Sequence, residues 1–585
     1  MILQALNRYY DRLVEDETLE RPGWQPVKVS YALDIDNEGR LVHVLPRMRE
    51  EERGKKKVLV PMVMKLPAQV KRTVGIASNF LCDNASYILG LDDKGKPERT
   101  AKCFEACREL HLELLGKVDS APARAICRFF ESWQPQTARD CALLAPFMDD
   151  LLGGANLTFA YGQSDVERWP EVQRAWDDHY NRGGEGRPMR CLVTGAEVIP
   201  ARLHPSIKGV AGGQPMGTTL VGFNAPAFES FGRDGGQGLN APVGEKAAFA
   251  YSAALNYMIA ERGHHLRLSD ATIVFWAESG NSGYASCFAM MFGDAAPLDE
   301  SDLYGALKDL AAGHRITWQD ADLSPDERFY VLGLAPNAAR LSVRFFLQNT
   351  FGEFAKNIQK HLEYLEIVRP AYDNRSSLSF RELLNETVNQ NARDKSPSPL
   401  LSGALVRSVL TGQLYPQLLL DQTELRIRAE HRVTRGRAAI IKAFLLRNTE
   451  QSGNYERYKE ALSVQLNENT NYQPYLLGRL FAVLEGLQQA ANPGINATIR
   501  DRFFNSACAT PGIVFPQLIK LAQAHLKKLD GGLSVHYSKQ LGDILSRFDT
   551  DYPARLSLYD QGIFQLGYYH QVQARYTKKE ENQDV

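Results

Sequence analysis

Apolar and polar positions change their rhythm along this chain, from short alternating runs to long helical stripes. Residues 27–35 and 41–45 are β-rich runs flanking Asp36-Asn37-Glu38-Gly39, a turn sequence, and together they predict a hairpin. Residues 57–64 add a strand. Apolar residues then recur at three and four over 99–118 and 121–133, which predicts two helices. Residues 191–199 and 202–204 predict a second pair of short strands, turning at Thr194-Gly195. A buried strand is expected over 271–276 and a strand pair over 329–334 and 341–346. Beyond residue 350 amphipathic patterns dominate, at 351–368, 400–410, 435–447, 475–490, 516–528 and 535–547. Residues 385–399, rich in Asn, Ser and Pro, read as a linker or surface excursion. The fold class is therefore α+β: a mixed α/β domain over 1–350, a helical region over 351–460 and a C-terminal helical bundle over 461–585. No fixed-period repeat interrupts this order.

One stretch fits neither rhythm. Residues 209–244 hold ten glycines with Pro215, Pro226 and Pro242 and few charges. Such a segment cannot be a helix, and its backbone must turn tightly or approach something closely. At 585 residues, 44% hydrophobic and 23% charged, the chain has material for several packed cores. Its 68 Lys+Arg nearly balance 69 Asp+Glu, so the distribution of charge matters more than its sum. Between Arg40 and Arg72 ten basic residues face only Glu50, Glu51 and Glu52; between Asp421 and Arg447 seven basic residues face three acidic ones. A neutral whole with two basic islands suits a protein that meets phosphates at chosen places. Either island also reads as a solvated charged face.

The eight cysteines are scattered without a CxxC, and Cys103 and Cys107, four apart in a helical pattern, read as small buried thiols. The N-terminus lacks a signal-peptide apolar core, and no run of about 18 apolar residues exists to span a membrane. These features point to a reducing cytoplasm. Catalytic motifs fail in turn. Gly236-Gln237-Gly238-Leu239-Asn240-Ala241 has the spacing of a dinucleotide loop, but Gly235 and Pro242 flank it where a strand and a helix are needed. Gly90 through Gly95-Lys96 resembles a phosphate loop, yet Pro97 replaces the required hydroxyl and Asp92 and Asp93 would repel phosphate. Ser282 misses the nucleophile-elbow pattern at its last position. No zincin or His-Asp spacing occurs, and lone histidines such as His204 read as structural residues. The expectation is a protein that is not an enzyme and holds no cofactor or metal.

Several ordered blocks carry a resemblance. They are Met1-Ile2-Leu3-Gln4-Ala5-Leu6 with Tyr9-Tyr10; Lys71-Arg72; and Asn79-Phe80-Leu81-Cys82-Asp83-Asn84 with Tyr87 and Leu89-Gly90. Next come Leu203-His204-Pro205-Ser206-Ile207-Lys208-Gly209-Val210, Gln214, Phe223-Asn224, Phe228-Glu229-Ser230 and Asn240-Ala241-Pro242. Phe329 through Leu334 with Pro336-Asn337 and Arg340 follows, then Leu477-Gly478-Arg479-Leu480-Phe481, Leu484-Glu485 and Gly567-Tyr568-Tyr569-His570-Gln571. Single blocks are weak; the ordered set, spread over almost the whole chain, resembles the large-subunit family of the type I-C CRISPR surveillance complex (Cascade).

The resemblance implies a binding role. In such a ribonucleoprotein complex the guide RNA reads sequence by pairing, while the large subunit recognises a short protospacer-adjacent motif (PAM) in double-stranded DNA and assists R-loop formation. It implies as partners the crRNA 5′ handle, target DNA and its displaced strand, the other backbone subunits, a separate helicase–nuclease and a small subunit from the same gene. The segment 461–585 would resemble that small subunit. Met290 and Met291 are the last methionines, so an internal start would use another codon, with Val464 as candidate. For motif reading the chain offers Lys71, Arg72, Asn79 and Asn84, since Asn suits adenine and Lys or Arg suits guanine; capping of a turn around Asp83 is the other reading of the asparagines. Lys208, Gln214, Asn224, Gln237 and Asn240 are the polar groups of the glycine-rich segment, whose N–H groups can also bind phosphate. Arg53, Lys55, Lys56, Lys57 and Lys65 would contact phosphates. Arg426, Arg428, Arg432, Arg435, Arg437, Lys442 and Arg447 would line a groove for the displaced strand. Tyr568, Tyr569 and His570 read as buried bundle aromatics rather than base-stacking groups. A nucleic-acid-processing enzyme with an unrecognised site near His204 or the glycine-rich loop, and a purely architectural subunit, are the alternatives.

Overall fold

The computed structural model describes residues 1–53, 56–70, 75–92, 95–182, 186–223, 228, 238–292, 300–375, 377–393, 395–548 and 551–576. Two compact units result: Met1–Pro205 with Val221–Leu255, and Ser206–Leu220 with Asn256–Val585.

In the first unit the expected hairpin forms between Tyr31–Ile35 and Leu41–Pro46. Its turn is tied by Asp36 Oδ1, which accepts from the N–H groups of Glu38 and Arg40, and Gly39 takes a positive φ of 74° that the turn requires. The run 27–35 is not one strand, however. Ser30 breaks it, and Trp24–Val29 leaves to pair with Lys56–Pro67, which in turn pairs with Met48–Arg53. Tyr31–Ile35 stays in a second sheet, parallel to Asn156–Tyr161, whose other edge takes Cys82–Asn84. The helices Pro97–Leu115 and Ala121–Ser132 start where sequence places their signals: a proline at the first turn of one, and Ser120 accepting from Ala123 N–H in the other. They pack Phe129 and Phe130 onto Phe159 of the sheet, with Phe104 against Phe130 and Cys103 and Cys107 buried as small apolar groups. Residues 202–204 form no strand; only Met189–Arg190 and Glu197–Val198 pair, around a tight turn in which Gly195 N–H donates to Cys191 O.

The second unit is built on a four-stranded antiparallel sheet in the order His265–Leu268, Ala271–Ala277, Arg328–Asn337, Arg340–Thr350. Every residue of Ala271–Ala277 is buried, Thr272 included, as its mostly apolar run predicts. Phe275, Phe288 and Phe329 of this region join one core with the helices that follow, down to Tyr569. At the centre of the helical part lies Gln473–Ala491, in which all residues from Pro474 to Leu487 are buried. The helices Ile499–Ala509, Pro511–Leu526, Gly531–Leu545 and Leu558–Ala574 pack around it. Among the described residues no helix is long and apolar enough to cross a membrane.

Candidate nucleic-acid interface

The first candidate segment begins as an ordered turn. Leu81 sits at φ +61°, a conformation L-residues rarely take. Its N–H donates to His111 Nε2 at 2.9 Å and its carbonyl accepts from Thr158 Oγ1 at 2.9 Å, so three elements hold it. Asp83, buried in the turn, accepts from the N–H groups of Asn79 and Asn84 at 3.0 and 2.9 Å. Asn84 caps the short helix Ala85–Ile88 by accepting from Ser86 N–H. Asn79 Oδ1 accepts from Val70 N–H at 2.8 Å. That bond assigns the amide: a main-chain donor must meet the oxygen, so the Nδ2 hydrogens are the unengaged polar atoms of this side chain among the described residues. Burial thus coexists with an available donor; Asn79 is 6% exposed. Both turn capping and a reading group fit this geometry.

The basic island upstream is partly committed. Arg47 pairs with Asp165 at 2.7 Å, and Lys65, half exposed, lies 3.4 Å from Glu20. Arg53, Lys56 and Lys57 have their backbones in the described hairpin strands, but their side chains, like Lys55, Lys71 and Arg72 as a whole, lie outside the described residues.

The glycine-rich segment divides between the units. Residues 206–220 form a loop closed by Ile207 and Thr218, which exchange both main-chain hydrogen bonds at 2.7 and 2.8 Å, and Thr219 pairs in parallel with Arg340. Gln214 O accepts from Gly217 N–H, tightening the tip, where Gly217 adopts φ +98°. Lys208 and Gln214 are exposed there, and Met216 is 84% exposed. Asn240, in the other unit, donates from Nδ2 to Phe228 O at 3.0 Å. Asn224 and Gln237 lie outside the described residues.

The second basic island does not form one groove. Four of its seven cations are interior. Arg435 bonds Asp373 at 3.1 Å, and Arg437 bonds Glu430 at 2.6 Å and Glu386 at 3.3 Å. Arg447 donates to Ser408 O and lies 4.2 Å from the Tyr415 ring centroid. Lys442, 2% exposed, donates to Tyr364 O at 3.1 Å, and burial lowers its pKa to about 8. Arg426 is mostly buried beside Glu430; only Arg428 and Arg432 reach the surface, and Arg428 donates to Gln561 at 2.8 Å. Charge runs are usually solvated, but here two of the acids that neutralise them, Asp373 for Arg435 and Glu386 for Arg437, are more than fifty residues away in sequence, while Glu430 is local. Lys442→Met is accordingly expected to leave the melting temperature equal or higher, because a buried ammonium with one carbonyl partner costs more than a thioether. It should also leave the salt dependence of any DNA binding unchanged. A fall of about one in that slope would instead put Lys442 on a phosphate.

His204 is buried, with Nδ1 2.7 Å from Tyr251 OH, and burial lowers its pKa. Tyr568, Tyr569 and His570 are interior, as expected. Tyr568 OH donates to Glu485 at 2.6 Å. Val464 lies in the connection before Gln473–Ala491, 43% exposed, with its carbonyl accepting from Val368 N–H. All eight cysteines are free, and among the described residues no group of three or more His, Cys, Asp or Glu is placed to hold a metal ion. No curated protein matches the chain. Residues 6–576, nearly its full length, match the family described as CRISPR-associated protein (Cas_Csd1), and the chain belongs to that family.

Proposed function

We propose that this CRISPR-associated protein is the large subunit of a type I-C Cascade, and that it acts by binding: it reads the protospacer-adjacent motif, helps open the duplex and recruits a separate helicase–nuclease. Membership of the family supports a place in a CRISPR complex. The observation that carries the motif-reading role is the state of Asn79. Its oxygen is committed to Val70 and, among the described residues, its amide hydrogens are not, in a turn braced by Asp83 and His111. A rigidly held donor at the end of a basic stretch is what reading an acceptor on a base edge needs. The exposed loop 206–220 supports the opening step: Lys208 can hold a phosphate, and an apolar tip such as Met216 can enter a base step. The crRNA 5′ handle, the backbone subunits and a small subunit beginning at Val464 are partners on this reading, with the cytoplasm as its compartment.

The test is binding of the reconstituted RNA-guided complex to a DNA library randomised beside the matched target. Asn79→Asp keeps the acceptor for Val70 and removes the donor. It should cost roughly 1–3 kcal/mol and relax preference at one position, whereas Lys65→Ala should weaken all sequences alike. Unchanged preference in Asn79→Asp removes Asn79 from the base edge. No preference with the unsubstituted protein, or metal-dependent turnover by the chain alone, overturns the reading.

A further inference from the structure

A groove of about 600 Å³ lies in the second unit between the strand Arg340–Thr350 and the helix Pro399–Thr411. Its helix side carries Leu400, Gly403 and Arg407, spaced to one face of the helix, and Leu414 lines it beyond the helix end. Leu400 is 75% and Leu414 48% exposed, and nothing stands within 4 Å of a Cβ built on Gly403, so the floor is open. Single exposed leucines are ordinary. Two on one groove, with Val343 exposed on the strand side, form an uncovered apolar strip.

The strand side is an edge. Arg340–Thr350 is the last strand of its sheet and pairs with Arg328–Asn337 on one side. Ser342, Val343 and Arg344 line the groove consecutively, whereas a cavity over one face of a strand would take alternate residues. The outer side of this edge is already used once. Thr219 N–H donates to Ala339 O at 3.1 Å and Leu341 N–H donates to Thr219 O at 2.9 Å, the pattern of a parallel pair. Alternation puts the Leu341 carbonyl and the Val343 N–H on that same outer side as the next rung, and no main-chain group among the described residues takes it.

From this geometry we infer that the groove docks an extended segment of a partner protein, which adds to the strand edge where Thr219 leaves off and lays apolar side chains on Leu400, Gly403 and Leu414. Charge sets its further chemistry. No acid lines the groove among the described residues, while two arginines do. Arg344 is held by Asp270 at 3.0 Å, but Arg407 is exposed and has no ionic partner among the described residues. A carboxylate on the segment is what such a cation selects. The partner segment is thus acidic and apolar, held by main-chain hydrogen bonds and chosen by its side chains. Nothing in this docking depends on the motif-reading role.

The probe is a phage-displayed library of random dodecapeptides, panned on the full chain with the Gly403→Trp chain as counter-target. The indole fills the floor from a position with no neighbour, so the melting temperature should be retained. Peptides that alternate apolar residues and carry Asp or Glu should be enriched, and the best should bind one to one with micromolar affinity. Gly403→Trp should weaken it at least about tenfold, and Arg407→Glu about fivefold. Single N-methyl groups walked along that peptide should abolish binding at alternate positions of its paired part, since strand addition uses every second amide. Absence of groove-dependent enrichment, indifference to Arg407→Glu or uniform tolerance of N-methylation overturns the inference. So does a dimer, or a bound single-stranded oligonucleotide, that Gly403→Trp disrupts, because the occupant is then a second copy or a nucleic acid. Should Gly403→Trp fail to fold, Arg407→Glu and the N-methyl series still decide.

Discussion

Alanine at Gly478 is expected to cost the second unit more than about 4 kcal/mol, beyond the range of ordinary overpacking. A Cβ at Gly478 would fall on the carbonyl oxygen of Phe564 and within 2.8 Å of Tyr568 N. The relation is reciprocal: a Cβ at Gly567 would fall on the carbonyl oxygen of Tyr475 and within 3.0 Å of its carbon. The helices Gln473–Ala491 and Leu558–Ala574 thus meet main chain to main chain, and no flexible side chain stands ready to yield. Moving them apart would open the packing of Phe481 against Phe564 and Tyr568, rings now 6.0 Å from it. Gly567→Ala should do the same, and the double variant should cost less than the sum, since the first alanine already separates the helices. Gly403 and Gly542 supply the opposite sign. Both are helical with nothing near a built Cβ, so alanine there should stabilise by up to about 1 kcal/mol. Urea unfolding followed by circular dichroism reads all four.

Acid should weaken this protein well above the range where carboxylates titrate. Burial lowers the pKa of His111 to about 4 and of His361 and His570 to about 3, against 6.5 for the free side chain. The folded state therefore binds fewer protons than the unfolded chain between those values and 6.5. The stability tied to neutral imidazoles is complete above pH 6.5 and is lost as pH falls, by up to about 1.4 kcal/mol per unit for each histidine. Glu424 opposes them. Burial raises its pKa to about 7, so between 4.5 and 7 it favours folding as pH falls. His204 and His264, whose pKa values burial also lowers, add to the histidines' side and Glu386, raised by burial, adds to that of Glu424, so a net loss of stability should remain between pH 6.5 and 4.5 when the whole chain unfolds. The denaturant midpoint measured across that range should drop steeply, and His570→Gln should shrink the slope by about one proton. A flat profile would mean that these imidazoles are charged in the folded state, in conflict with their burial among Tyr475, Tyr415 and the phenylalanine rings.

What the amino-acid pattern revealed, and what it hid, follows from how each element is surrounded. The hairpin at Asp36 and the helices over residues 97–132 have one wet side, so their period is visible. Leu558–Ala574 has none between Asp560 and Gln571: it buries Asp560, Gln565, His570 and Gln571 with its apolar residues. Polar groups taken inside with them, such as Gln565, whose Nε2 donates to Glu424 at 2.7 Å, erase the periodic contrast that predicts a helix. Met48–Arg53 escaped for the opposite reason, being an edge strand of mostly charged residues. The candidate site was legible as a place but not as a geometry. Asn79 and Asn84 stand out beside basic residues, yet nothing local says that Val70 N–H would take one end of the Asn79 amide. The interior cations read as a groove because most of what holds them, Asp373 for Arg435, Glu386 for Arg437, and the carbonyls of Tyr364 and Ser408 for Lys442 and Arg447, lies far upstream. No local signal marks His361 either, since its partner Tyr415 is fifty-four residues downstream.

The burial of Gln473–Ala491 also has a consequence in time. Every helix packed around it from within the bundle is encoded after it. During synthesis its apolar faces emerge from the ribosome first, and they wait for Leu558–Ala574 for on the order of ten seconds at ordinary elongation rates. The nascent chain is therefore most exposed to aggregation, and most dependent on chaperones, in that interval.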